Sequence, residues 1–168
     1  MDTSPDLPLS RLYDSRLERA VLGFCLSHGC AAYEHVRRVL RPSDFYVPDY
    51  GALYTLLGRL PGDWGYVEAS EAVFWAQRRG YLSLEYDLPM MCSLWSACCR
   101  LADDAVLARR LDGLDAYDLP TYGELAEGMA KQVRDLATVR RIGQRADGIL
   151  RRALGYAEGG DGAALYPK

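Results

Sequence analysis

The chain has 168 residues, nearly half of them hydrophobic and about a quarter charged, with a net charge of −3. That composition is globular rather than disordered and suits one domain around a single core. It argues against a surface that coats nucleic acid indiscriminately.

Ile142 and Ile149 are the only isoleucines and Asn is absent, whereas Leu, Ala, Arg and Glu recur at helical spacings. An all-α fold of five or six helices is expected. The five cysteines, Cys25, Cys30, Cys92, Cys98 and Cys99, are irregularly spaced, and the polar N-terminus lacks an apolar leader. Reduced thiols in a cytoplasmic protein with no membrane segment are the expectation.

Residues 1–14 read as a flexible lead to a helical domain over 15–118. Ser15-Arg16-Leu17-Glu18 has the form of a capping box, and Leu17, Val21, Phe24 and Cys25 share one face of a first helix ending near Gly29. A second helix turns Ala32, Val36, Val39 and Leu40 inward and stops at Pro42. Phe45 and Tyr46, in the link Ser43-Asp44-Phe45-Tyr46, are expected to plug the core. The stripe Tyr50, Leu53, Tyr54, Leu57, Leu60 marks a third helix closed by Pro61-Gly62. Ala69, Ala72, Val73 and Ala76 line a fourth, from Glu68 to Arg79, capped by Gly80. Leu88, Met91, Trp95 and Cys98 give a fifth, and a short sixth is expected from Asp103 to Leu111, before a loop over Asp112 to Pro120.

Thr121-Tyr122-Gly123-Glu124 repeats the capping-box pattern and opens an interaction helix over 119–156, followed by a flexible tail over 157–168. Its apolar stripe, Leu125, Met129, Val133, Leu136, Val139, Ile142, Ala146, Ile149 and Ala153, averages about 3.5 residues per step, the coiled-coil period. From Tyr122 to Leu154 such a helix is roughly 50 Å long, too long for a domain with a radius of gyration of about 13 Å to cover. Leu125, Met129, Val133, Leu136, Val139 and Ile142 are therefore the expected seam of a homo-oligomer, a dimer or a multiple of it. Between Lys131 and Arg152, seven basic residues stand against two acids, which leaves the rest of the chain strongly acidic. Arg134, Arg140, Arg141 and Arg145 are the candidate nucleic-acid contacts on this strip.

Little else in the sequence suggests chemistry. No Gly-rich loop leads into Lys131 or Lys168, so a P-loop is missing. Cys25, His28, Cys30 and His35 match no common zinc spacing and read as core thiols and surface imidazoles. Asp103, Asp104, Asp112 and Asp115 read as caps and solvated loop. Trp75 and Trp95 suit the core and Trp64 an interface. No catalytic residue, metal ligand or cofactor is expected.

Ser15-Arg16-Leu17-Glu18-Arg19-Ala20-Val21-Leu22-Gly23 and Val39-Leu40-Arg41-Pro42-Ser43-Asp44-Phe45-Tyr46 together resemble the N-terminal domain of DnaB-type replicative helicases. In that family a Val-Leu-Gly helix is followed by Leu-x-Pro-x-Asp-Phe-Tyr. The resemblance covers roughly Ser15 to Leu154, with Tyr122 to Leu154 in the place of the first helix of a helical hairpin. Glu68 stands where the family has Asp, the stretch from Ala102 to Pro120 is longer than the family's, and no second hairpin helix is evident. The resemblance implies a collar domain that performs no chemistry, dimerises, and receives primase and loader proteins, here without the ATPase motor. One alternative is a primase-like helicase-binding domain, which has a similar helical fold, or a helicase accessory or loader, with a helicase as its partner. A DNA-binding adaptor using the Arg-rich helix is another.

Overall fold

Asp14, rather than Ser15, starts the first helix. Its Oδ1 accepts from the amides of Arg16 and Leu17 at 2.9 and 3.0 Å, satisfying two of the donors that a helix start leaves open. Glu18 is thereby released from any capping role and turns inward. In the computed structural model, which describes residues 13–62, 67–111 and 122–159, this helix, α1, spans Ser15–Arg37. It consists of two helical segments meeting at Gly29, whose φ of 67° suits a residue without Cβ. The expected break is thus present, with no loop between the segments.

A 3₁₀ turn over Pro42–Asp44 leads to α2 (Pro48–Leu57), then α3 (Ala69–Arg78), α4 (Leu88–Leu111) and α5 (Tyr122–Gly159). No strand occurs among the described residues, so the fold is all-α with a long C-terminal helix. None of these helices is long and apolar enough to cross a membrane. Gly80, at φ 69°, closes α3: the Tyr81 amide reaches back to the Ala76 carbonyl at 2.9 Å and the Gly80 amide to that of Gln77 at 3.1 Å. The short sixth helix expected from Asp103 is instead the continuation of α4. No Gly or Pro interrupts the chain there, and the Asp pair does not start a new helix.

The core lies where α1 meets α2, α4 and α5. Val21, Leu22, Phe24, Cys25 and Val36 of α1 close on Leu53, Tyr54, Leu56 and Leu57 of α2 and on Met91, Trp95 and Cys98 of α4. The Tyr54 hydroxyl donates to the Leu40 carbonyl at 3.3 Å, so that buried polar tip is satisfied. Phe45 is buried as expected, whereas Tyr46 is half exposed and stacks on Tyr13. At Gly23 the backbones of α1 and α4 come very close. A Cβ there would lie 2.8 Å from the Ala102 Cβ and overlap the Cys98 carbonyl. Residues 157–159, expected in the tail, belong to α5. The expected lead through residue 12, Trp64, the expected loop from Asp112 to Pro120, Thr121 of the second capping box and residues 160–168 lie outside the described residues, as do the side chains of Asp103 and Asp104.

Candidate interaction site

The first half of α5 packs on α1 through Ala126, Ala130, Val133 and Ala137, all buried, and Arg140 continues that line. Small side chains allow the close approach of the two helices. Leu125 and Met129 flank this face and pack partly against the core. The expected seam is therefore not one face. From Val133 the apolar residues advance by three successive steps of three, to Leu136, Val139 and Ile142. At about 100° per residue these steps swing the stripe by about 180°. Leu125, Met129 and Val133 belong to the chain's own interior, and Leu136 marks the turn. Val139 and Ile142, with Ile149, point away from the body, Ile142 and Ile149 each being 62% exposed. The average period of the stripe concealed the change of face.

Arg140 corrects a second expectation. It is 7% exposed, its Nη2 donates to the Asp44 carbonyl at 2.6 Å, its Nη1 lies 3.9 Å from Glu18 Oε1, and its guanidinium sits over the Tyr46 ring. It serves the fold and is not presented to a ligand. Glu18 is 1% exposed and accepts from the amides of Tyr46 and Val47 at 2.8 and 3.4 Å. Burial pushes its carboxyl above the usual range, against the opposing pull of those two amides and of Arg140. Asp44 completes the network: Oδ2 accepts from the Arg41 amide at 2.8 Å and Oδ1 pairs with Arg141 at 2.6 Å. Glu18, Asp44-Phe45-Tyr46 and α5 are thus held at one junction.

Beside that junction a cleft of about 460 Å³ opens between the end of α1, the 3₁₀ turn and α5. It is lined by Arg37, Arg38, Arg41, Arg134 and Arg141, with Asp44 as the only acid among its lining residues. Arg134 and Arg141 were expected as basic contacts. Arg37, Arg38 and Arg41 join them only through tertiary folding. Arg145 lies farther along α5 and is exposed. At the other end of the α1–α5 contact, Glu127 lies 3.0 Å from Lys131 and 3.6 Å from His35. Lys131, then His35, hold its carboxyl below the usual range.

Of the aromatic residues around α3, Phe74 and Tyr81 are exposed and Trp75 is half-buried, and all three are less open than this suggests. Arg78 lies over the Phe74 ring, Arg79 over Trp75 and Arg59 over Tyr81, so each ring has a face already covered by a guanidinium group. All five cysteines are free thiols. Burial pushes the Cys25 thiol far up and that of Cys98 to about 12, which makes both poor nucleophiles at neutral pH. Among the described residues no group of three or more His, Cys, Asp or Glu is arranged to hold a metal ion. The chain matches no protein family, no curated protein and no solved structure with which it was compared.

Proposed function

We propose that this chain is a non-catalytic assembly module of DNA replication, akin to the collar domain of a DnaB-type helicase, and that it pairs with a second copy through the outward face of α5. The observation carrying this reading is the turn of the apolar stripe beyond Val133, which leaves Val139, Ile142 and Ile149 facing away from the other described helices. Burying an exposed Ile stabilises by about 1.5–3 kcal/mol, so the face favours association.

A second copy fits that face. Val139, Ile142, Ala146, Ile149 and Ala153 alternate steps of four and three, the a/d pattern of a two-helix seam. Arg145 and Arg152 then occupy g positions, with Gly143 and Leu150 at e. A parallel pair sets Arg against uncharged residues, whereas an antiparallel pair sets Arg against Arg. The assignment to replication rests on the resemblance alone. Three of its residues, Glu18, Asp44 and Tyr46, hold Arg140 and Arg141 of α5, as a domain presenting a long helix requires.

The test replaces Ile142 and Ile149 together by Glu. Sedimentation analysis is expected to show an assembly for the native chain and a monomer for the double variant, with unchanged helical circular dichroism. If both species have the same mass, the outward face is not the seam. A native monomer that binds a helicase collar would transfer the proposal to a primase-like docking domain.

A further inference from the structure

The basic cleft continues into a track. Arg134, Arg141, Arg145 and Arg152 stand seven, four and seven residues apart on α5, which places all four within about 40° of one another around the helix. They run along about 27 Å of its length at 1.5 Å per residue. This face lies about 90° from both the buried face and the outward apolar face; in a pair of copies Arg145 and Arg152 would stand at the rim of the seam, with Arg134 and Arg141 clear of it. At its upper end Arg37, Arg38 and Arg41 widen the track into the cleft.

Ordinary structural roles account for only part of this charge. The negative end of the α1 dipole favours Arg37 and Arg38 at its C-terminus. Arg37 also pairs with Glu34 at 2.6 Å, Arg134 with Asp135 at 3.4 Å, and Arg141 with Asp44. Arg38, Arg41 and Arg145 are exposed and have no ion pair among the described residues. Five guanidinium groups line one cleft and three of them have a carboxylate partner, which leaves a local excess of positive charge in a chain of net charge −3.

We propose that this track binds the phosphodiester backbone of a nucleic-acid strand, which enters the cleft and follows α5. Guanidinium groups pair with phosphate through two parallel hydrogen bonds, and every cation of the track is an arginine. Between them lie the hydroxyls of Ser43 and Thr138 and, at Gly148, a helix surface without a side chain, whose carbonyl accepts from Arg152 Nε at 3.0 Å. Apart from Val39 the cleft provides no apolar lining, so an acidic peptide would find charge there but no pocket for an anchoring side chain. A phosphodiester chain needs no such pocket. The proposal does not depend on self-association: the cleft residues Arg37, Arg38, Arg41, Arg134 and Arg141 lie outside the seam, and Arg145 and Arg152 only flank it.

Fluorescence anisotropy of the full chain with labelled DNA of about 20 nucleotides, single-stranded and duplex, tests it; the track spans about eight phosphates of one strand. Binding is expected to weaken linearly in log–log form with salt. Replacing Arg38, Arg41 and Arg145 together by Ala is expected to weaken it by about tenfold or more and to lower the salt slope by about 2–3. Arg151→Ala, at an exposed residue that pairs with Asp147 on another face, should change affinity by less than about twofold. No binding by the native chain, or equal losses in the triple variant and in Arg151→Ala, overturns the proposal. So does poly-glutamate competing as well as unlabelled DNA, which would assign the track to an acidic protein partner.

Discussion

Glu18→Ala is expected to destabilise the fold by about 3–5 kcal/mol, the usual cost of removing one partner from a buried charge pair. The substitution leaves the Tyr46 and Val47 amides without their acceptor and strips Arg140 of the carboxylate beside it. Arg140 cannot shed its charge, so the loss falls on packing: the 3₁₀ turn and α5 would separate from α1. Urea denaturation measures the effect, and a change below about 1 kcal/mol would show that the junction is not held by this network. Glu18→Gln separates the charge from the shape. Because burial raises the Glu18 pKa in the folded chain, the protonated form is favoured by folding. The pH-dependent part of the stability due to this group is therefore fully present below its unfolded value of 4.5 and is lost as pH rises through the folded value, whereas its acceptance from the two amides persists in the ionised form. The difference in stability between native chain and Glu18→Gln should follow that slope, and a pH-independent difference would contradict the assignment.

Gly23→Val is the second large effect, with an expected loss of at least about 3 kcal/mol. Overpacking of a core costs less where a flexible side chain yields. Here the first atom met is the Cys98 carbonyl, with the Ala102 Cβ at 2.8 Å from the new Cβ, so two helices must move apart. The separation would open the contact around Val21, Leu22 and Cys98 that forms the centre of the core. Gly23→Ala should show a smaller loss in the same direction, about 1–3 kcal/mol. A denaturation midpoint for Gly23→Val equal to the native one would mean that α1 and α4 do not cross at this distance.

These two residues show how local signals divide from distant ones. The faces of α1, α2, α3 and the first half of α4 were legible because their inward residues recur at helical spacing, and Gly80 and Pro42 mark ends by their own backbone chemistry. The start of α1 was misread because Ser15-x-x-Glu18 satisfies a local pattern, while the amides that Glu18 serves lie 28 and 29 residues away. Nothing within four residues of Glu18 announces them. On α5 the inward face is formed by Ala126, Ala130 and Ala137 with Val133, and small side chains give a weaker apolar signal than the large residues of the stripe. The three steps of three after Val133 were already visible, and they are the signal that separates the two faces. Arg140 was indistinguishable from its basic neighbours until Asp44 and Glu18 were placed beside it. The cleft was half legible for the same reason: Arg134 and Arg141 share a helix face, whereas Arg37, Arg38 and Arg41 reach them from the far end of the sequence.

Light scattering coupled to size exclusion on the native chain tests the central proposal most directly. A mass of about twice the 18.7 kDa of one chain, or an even multiple of it, is the expected result. A mass of one chain across the accessible concentration range would contradict self-association through the outward face of α5.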